Sequence, residues 1–221
     1  MDWQTDLSVC LGTLADRSVW FNRGMPPARQ RAPRAATSSA RERVLRAAFG
    51  LFYAHGIHGV GVDRIIAESG VAKATFYKHF PGKEDLVLAY LDEVDATWSG
   101  QLRTAAEAAG PEPAAQLVGM FDALTTACRR EGYRGCAFIN AAAEYRSGTA
   151  VHDRTVAHKA AVLEWVEGLA RGAGAGDPGG LARALTLLLD GGLASGSLDG
   201  SPDAPAAARA SAEALLAVAL T

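Results

Sequence analysis

The sequence predicts an all-α protein of about nine helices. Apolar residues recur at spacings of three and four through most of the chain. Glycine and proline interrupt this pattern at intervals typical of globular helices, and no window alternates apolar and polar residues long enough to indicate a strand. We therefore expect an N-terminal arm over residues 1–37, a three-helix unit over 38–82 and a larger helical domain over 83–221.

The composition is that of an ordinary globular protein. The chain has 221 residues, of which 49% are hydrophobic and 21% charged, and its formal net charge is −2. Three cysteines without a paired short spacing argue against a disulfide framework or a four-cysteine zinc site, and they favour a reducing cytoplasm. Asp190 and Glu213 interrupt the longest apolar stretches, and Asp2 and Asp6 stand where a signal peptide carries positive charge. Neither a membrane span nor secretion is predicted.

Residues 1–37 show no sustained periodicity. Met25-Pro26-Pro27 is followed by arginines and a further proline, which predicts a flexible basic arm. Met25 is an alternative start of the biological chain. The apolar residues of the first 21 positions are also compatible with a short helix.

Three helices are predicted next. Ser39 and Glu42 have the spacing of a capping box, and the first helix runs from there to about His55, before Gly56. A second helix covers 62–69 and ends at Gly70, and a third covers 73–80 and ends at Pro81. Two short helices joined by a turn that contains glycine are typical of a helix-turn-helix.

The larger domain continues as helices. One begins near Gly82 and is closed by Gly110, Pro111 and Pro113, and the glycine-rich run 172–180 is interpreted as a flexible connection. Ser201-Pro202-Asp203 indicates a turn between the last two helices. The helices after the first of this domain are expected at 114–130, 135–146, 150–170, 181–197 and 204–220.

The near-neutral total conceals a strong asymmetry of charge. Residues 23–83 carry 11 lysines and arginines against three acidic residues, a net charge of +8, whereas residues 84–221 carry −8. A basic segment beside an acidic remainder is typical of a nucleic-acid-binding unit joined to a non-binding one. Charge alone leaves open a basic patch for an acidic protein partner.

The stretch over residues 56–86, GIHGVGVDRIIAESGVAKATFYKHFPGKEDL, resembles the DNA-binding signature of the TetR (tetracycline-repressor) family of transcriptional regulators. The resemblance implies a cytoplasmic one-component regulator, with a DNA-binding domain over 38–82 and an effector-binding and dimerisation domain over 83–221. It also implies double-stranded operator DNA and a small-molecule effector as partners, and repression as the sign of regulation, with activation left open. No cofactor and no metal are implied.

Helix periodicity and the resemblance together select the DNA-contacting residues. If Val71, Phe76 and Phe80 face the core, the opposite face of the third helix presents two ammonium groups and a phenol to a groove and its phosphates. The resemblance assigns bases or backbone to Lys73, Thr75 and Lys78, and phosphate to Tyr77, His79 and Lys83. The full predicted set is Arg41, Gly61, Lys73, Ala74, Thr75, Tyr77, Lys78, His79 and Lys83.

Four positions depart from the family pattern. The hydroxyl residues that usually open the second helix are replaced by Val60 and Gly61, although Gly61 is still an acceptable cap. Ala72 and Gly82 replace the usual hydroxyl or amide residues of the turn and of the position before Lys83. Phosphate contacts from those side chains are therefore not expected.

An effector site is expected in the larger domain. Most aromatic residues at helical spacing simply form a core, but Asn140 and Glu144 share a helix face with Cys136 and would need a partner if they faced an apolar cavity. The segment from Arg134 to Asn140, with Glu144, also resembles a helix of one TetR subgroup. The predicted effector residues are Trp98, Phe121, Cys136, Asn140, Glu144 and Trp165.

Leucines and small residues on the last two helices predict a homodimer built from a two-fold four-helix interface.

The alternative function is a helical ligand- or redox-sensing module without DNA release. Cys136 would be the thiol of the redox version, although its apolar neighbours favour an inert buried thiol. His55 and His58 lack a third ligand for a metal, and Gly56, Gly59 and Gly61 follow no strand, so a dinucleotide loop is not expected. Because G-x-S-x-G, H-E-x-x-H and P-loop motifs are absent from the sequence, we predict no enzymatic activity.

Overall fold

The computed structural model describes residues 38–198 and 203–221, and these residues form helices joined by turns. The predicted basic arm, Met25, Cys10 and most of the Ser201-Pro202-Asp203 turn lie outside them. The helices are α1 (Ala40–His55), α2 (Val62–Ser69), α3 (Lys73–His79), α4 (Lys83–Ala108), α5 (Pro113–Gly119), α6 (Phe121–Cys128), α7 (Ala137–Glu144), α8 (Ala150–Gly172), α9 (Pro178–Leu198) and α10 (Asp203–Ala219).

The first three helices, which we call the head, are delimited by the local signals that the sequence shows. The Ser39 hydroxyl accepts a hydrogen bond from the backbone amide of Glu42 at 3.2 Å, and the Glu42 carboxylate accepts one from the amide of Ser39 at 2.9 Å. Gly70 ends α2 in the left-handed conformation, with φ of 62°. The capping box and the helix-turn-helix are thereby confirmed.

The remaining helices, α4 to α10, form the body, and the all-α prediction is confirmed. The helix expected over 114–130 consists of α5 and α6, separated by Met120 alone, so that about nine helices remain a fair description. The second of them, α6, ends at Cys128, two residues before the expected end.

The interpretation of residues 172–180 as a flexible connection is wrong at its end. Helix α9 begins at Pro178, three residues before the expected start. The Asp177 carboxylate accepts a hydrogen bond from the amide of Gly180 at 2.9 Å, and proline is favoured in the first turn because its missing N–H has no helical partner there. These two effects outweigh the low helix propensity of the glycines.

Head and body share one continuous core. Tyr90 of α4 is 2% exposed, and it makes edge contacts with Phe49 and Phe52 of α1 at centroid distances of 5.3 and 5.6 Å. These contacts fix α1 against the first turns of α4. In the part of the chain that the structure describes, no helix has the combination of length and apolar character needed to cross a lipid bilayer.

Candidate nucleic-acid interface

Helix α3 separates a buried face from a charged one. Val71, Phe76 and Phe80 are 8%, 0% and 2% exposed, which anchors the helix-turn-helix in the head core. The opposite face, formed by exposed Lys73, Ala74, Tyr77, Lys78 and His79 with half-buried Thr75, is open to solvent. Burial of three large apolar side chains therefore determines which residues α3 can present to a partner.

One arginine of α1 lies beside the end of this face. Arg41, Arg43 and Arg46 of α1 are exposed, and the Arg41 guanidinium lies over the Phe80 ring at 5.4 Å from its centroid. This stacking restricts the Arg41 side chain beside the end of α3 without neutralising its charge. The structure thus brings Arg41 to the same end of the head as His79.

One cation of the face has an acidic partner. The Lys73 ammonium lies 3.2 Å from the Asp63 carboxylate of α2, and both side chains are exposed. Such an exposed pair is worth at most about 1 kcal/mol, so Lys73 is free to exchange this carboxylate for another anion. Arg64 of α2 instead contacts the Nε2 of His55 at 3.0 Å.

Gly61 and Lys83 mark two helix starts. Gly61 caps α2 with extended backbone and no side-chain hydrogen bond. At the start of α4, the Asp85 carboxylate accepts a hydrogen bond from the amide of Gly82 at 2.8 Å, which is the half of a capping box that needs no hydroxyl at position 82. Lys83 is half-buried there, and burial lowers its pKa while nearby Glu144 opposes that shift.

The structure does not bring the six predicted effector residues together. Phe121 is fully buried in the body core, and Cys136 is buried at the start of α7. Trp165 is half-buried, and the Arg103 guanidinium lies over its ring, 5.1 Å from the ring centroid. Trp98 lines a separate cavity of about 20 Å³ with His158. The aromatic residues that the sequence suggested for the effector site therefore lie in three different places: the core, the surface and a separate cavity.

Asn140 and Glu144 do share a face, but that face is turned to the head. Both line a cleft of about 210 Å³ between α1 and α7. The Glu144 carboxylate accepts hydrogen bonds from the backbone amides of Ile57 at 2.8 Å and His58 at 2.5 Å. The partner that Glu144 was expected to need is supplied within the chain, since the loop after α1 provides two donors.

Further contacts join the same two segments. The His58 ring lies 3.3 Å from the Glu144 carboxylate and stacks on Tyr145 at a centroid distance of 4.9 Å. The Arg134 guanidinium donates to the carbonyls of Tyr53 and Ala54, at the C-terminal end of α1. The Asn140 side chain donates to the Arg134 carbonyl at 2.9 Å.

The Tyr53 hydroxyl donates to the Gly135 carbonyl at 3.1 Å and accepts from the Arg134 amide at 2.9 Å. We call residues 53–58 and 134–145 together the junction. Sequence reasoning missed the roles of Tyr53 and Arg134. Tyr53 belongs to no local motif, and the resemblance of the segment that begins at Arg134 gave no sign that its partners lie on α1.

A second polar network, also missed, lies inside the body. His158 of α8 is 1% exposed, and its Nδ1 lies 2.7 Å from the Asp95 carboxylate of α4. Asp95 also accepts hydrogen bonds from Arg154 at 2.7 Å and Ser99 at 2.9 Å. Burial lowers the pKa of His158, and the carboxylate of Asp95 partly offsets this effect. The histidine spacing of α8 gave no signal for a partner on α4.

The candidate metal and thiol residues have ordinary partners. His55 contacts Arg64 and His58 contacts Glu144, so the two histidines are directed to different groups. Among the described residues, no group of three potential ligands is placed to hold a metal ion. Cys136 is buried and is not bonded to another cysteine.

Comparison with known proteins identifies similar chains. The family model described as "Bacterial regulatory proteins, tetR family" matches residues 44–90. The regulator LmrA of Bacillus subtilis is 45% identical over 56 residues, which are 25% of this chain and 30% of LmrA. Escherichia coli RutR is 32% identical over 76 residues, which are 34% of this chain and 36% of RutR. The chain thus spans about a third of the length of these curated relatives.

Two solved structures are similar over most of the chain. SCO4454, a TetR-family transcriptional regulator from Streptomyces coelicolor, is 40% identical with a TM-score of 0.77, covering 82% of this chain and 96% of that one. A putative TetR-type regulator from Streptomyces avermitilis is 27% identical with a TM-score of 0.74, covering 82% and 98%. The likeness therefore extends from the head through the body.

Proposed function

Because this chain belongs to the TetR family of bacterial transcriptional regulators, we propose that it is a repressor released from its operator by a small-molecule effector. The observation that carries the proposal is the outward face of α3, where Lys73, Tyr77 and Lys78 are exposed and Arg41 of α1 lies beside the end of the helix. In this proposal the head and the basic arm bind DNA, and the body binds the effector and a second copy of the chain, in the cytoplasm.

We assign the contacts by chemistry. Lys73, Thr75 and Lys78 reach base edges or the adjoining backbone in the major groove, since α3 is the helix that enters it. Tyr77, His79 and Lys83 bind phosphate, and Arg41 adds a backbone or minor-groove contact. On DNA, Lys73 exchanges Asp63 for the more strongly anionic duplex.

The proposed homodimer forms through α9 and α10. Leu187 and Leu198 of α9 are 67% and 83% exposed, and Val218 of α10 is 76% exposed. Large apolar side chains so exposed on adjacent helices favour burial against a partner. A two-fold dimer places its two recognition helices about 34 Å apart, so that it reads a near-palindromic operator.

Release follows if the effector binds better to a conformation with a different spacing of the heads. The loss of operator affinity is then limited by the ratio of effector affinities for the two conformations. The junction supports this coupling, because its hydrogen bonds connect α7 of the body to the loop and the last turn of α1.

Gel-shift titration of the full-length protein tests DNA binding, with double-stranded fragments selected from the source genome. We expect Lys73→Ala to cost about 1–3 kcal/mol of operator affinity at fixed salt, and Lys78→Ala to reduce the salt slope by about 1. Arg129→Ala is the matched control, since Arg129 is an exposed cation of the body, and it should leave both quantities unchanged. If the wild-type protein binds no duplex at low salt, the alternative of a sensor without DNA release is favoured.

A further inference from the structure

The cleft between α1 and α7 has the features of a built ligand site. We propose that it binds a small, neutral, planar phenol, and that its occupation weakens the hold of the body on the head. The regulatory half of this proposal rests on the proposed function, whereas the binding half stands on the geometry of the cleft alone.

The cleft exists because one face of α7 carries small side chains. Phe52, Tyr53 and Tyr90 form the wall on the side of α1 and α4, and the facing wall contains three alanines, Ala137, Ala141 and Ala143. Its volume of about 210 Å³ equals that of roughly seven liquid water molecules. Pockets for drug-sized ligands hold about 300–1,000 Å³, so this cleft suits a compound of one or two rings.

The Tyr90 hydroxyl is the polar group of the cleft that a ligand can bind. Tyr90 is 2% exposed and lines the cleft, yet its hydroxyl has no hydrogen-bond partner among residues 38–198 and 203–221. Burial raises the pKa of Tyr90, and nearby Tyr53, Cys136 and Glu144 raise it further, so the phenol is a neutral donor. The hydroxyl is not sealed off by protein atoms but opens to the cleft, so a ligand oxygen there can replace water as its partner.

The remaining polar groups define the complementary chemistry. The Glu144 carboxylate retains accepting capacity beyond its bonds to the loop, because a carboxylate offers about four lone-pair sites. Asn140 donates to the Arg134 carbonyl, which leaves its side-chain oxygen as an acceptor. A phenolic hydroxyl accepts from Tyr90 and donates to one of these oxygens, and its ring packs between the aromatic residues and the alanines.

Neutrality follows from the opposite charges among the residues that line the cleft. Arg134 and Glu144 both line it, and each is already engaged with the backbone of the head. A charged ligand would face both signs and would lose hydration without a dedicated counter-ion. The cleft therefore favours a neutral hydroxyl over a carboxylate or an ammonium group.

Occupation acts directly on the junction. A ligand hydroxyl that donates to Glu144 takes up a spare lone pair, and the carboxylate charge is then shared among three donors, which weakens the hydrogen bonds from the amides of Ile57 and His58. Because that carboxylate fixes the loop after α1, the occupied protein holds its head less firmly. The expected consequence is a lower affinity for the operator.

Isothermal titration of the full-length protein with p-cresol, and with toluene as the hydroxyl-free analogue, tests the site. We expect saturable binding of one p-cresol per chain, and about fivefold weaker binding in Tyr90→Phe, with toluene binding changed less than twofold. Ala143→Leu, at an exposed position on the cleft wall, should abolish binding of both compounds. Ala161→Leu, an exposed alanine of α8 away from the cleft, is the matched control and should bind as the wild type does.

Ligand binding in the cleft and its effect on operator binding are contradicted by different outcomes. Absence of saturable p-cresol binding to the wild type, or unchanged binding to Ala143→Leu, would overturn the proposed site. If p-cresol binds but leaves the operator shift unchanged, the regulatory half is wrong. If the protein binds no duplex even without p-cresol, the proposed function fails while the titration still supports the site.

Discussion

Replacing Glu144 with alanine removes the acceptor of two backbone hydrogen bonds that join the body to the head. Each is a hydrogen bond to a charged group, worth about 1.5–3 kcal/mol when well shielded. The Glu144 side chain is 23% exposed and the ring of His58 is 61% exposed, so solvent reduces both contributions. We expect Glu144→Ala to lower the free energy of unfolding by about 2–3 kcal/mol.

Urea unfolding monitored by circular dichroism measures this loss, with the slope of the transition checked for unchanged surface exposure. Glu144→Gln keeps one amide acceptor without the charge, and about half of the loss is expected. Glu164→Ala, at an exposed position of α8, controls for removal of a carboxylate and should change stability by less than about 0.5 kcal/mol. A Glu144→Ala variant as stable as this control would show that the junction bonds do not hold the head.

Three further outcomes are expected. Burial lowers the pKa of His158 below its ordinary value, so the unfolded chain takes up a proton first as the pH falls. The free energy of unfolding should therefore decrease as the pH drops below about 6.5. His158→Gln should flatten this dependence between pH 7.5 and 5.5, and an unchanged slope would contradict the assignment. Gly56 has φ of 80° and ψ of 157°, a region essentially restricted to glycine, and an added Cβ would lie 3.1 Å from the Glu144 carboxylate. Gly56→Ala should therefore lower the free energy of unfolding in urea by about 1–3 kcal/mol. An unchanged free energy of unfolding would be inconsistent with this geometry. Leu187→Glu should convert the proposed dimer to a monomer at micromolar concentration in light scattering; an unchanged mass would place the interface elsewhere.

The head was predictable because its signals are local. The capping box of Ser39 and Glu42, the glycine after α2 and the proline after α3 all act within a few residues of the boundary that they set. The apolar periodicity of α3 likewise determines which side chains face outward. Short-range chemistry of this kind can be read from one sequence without knowledge of the tertiary contacts.

The partners of the junction were not predictable in this way. Glu144 bonds to amides 86 and 87 residues earlier in the chain, and backbone amides leave no trace in side-chain identity. Helical spacing correctly placed Asn140 and Glu144 on one face, but it carries no information about which element that face meets. Phe121, which was selected as an effector residue, is fully buried in the body core, and a core aromatic and a ligand-binding aromatic have identical sequence signatures.

The start of α9 is an instructive exception, since its signal was local and was still missed. Asp177 and Pro178 form a helix start within a run of glycines, and the glycine content dominated the interpretation. The hydrogen bond from Gly180 to Asp177 satisfies an amide that would otherwise face solvent. Capping residues therefore deserve more weight than average propensity when the two disagree at a helix boundary.

Helix α7 is attached to its neighbours by hydrogen bonds on one side and by a stacked ring on the other. On one side, Glu144 at its C-terminal end is bonded to the loop of the head. On the other side, the Phe138 ring stacks on the His158 imidazole at a centroid distance of 3.7 Å and an interplanar angle of 7°. His158 is bonded in turn to Asp95 of α4. A helix of eight residues is about 12 Å long and too short to bend appreciably, so a displacement of α8 relative to α4 must either carry Glu144 with it or break the stack. We therefore expect a displacement within the body to reach the loop of the head through α7, in addition to the direct contacts of Tyr90 with α1.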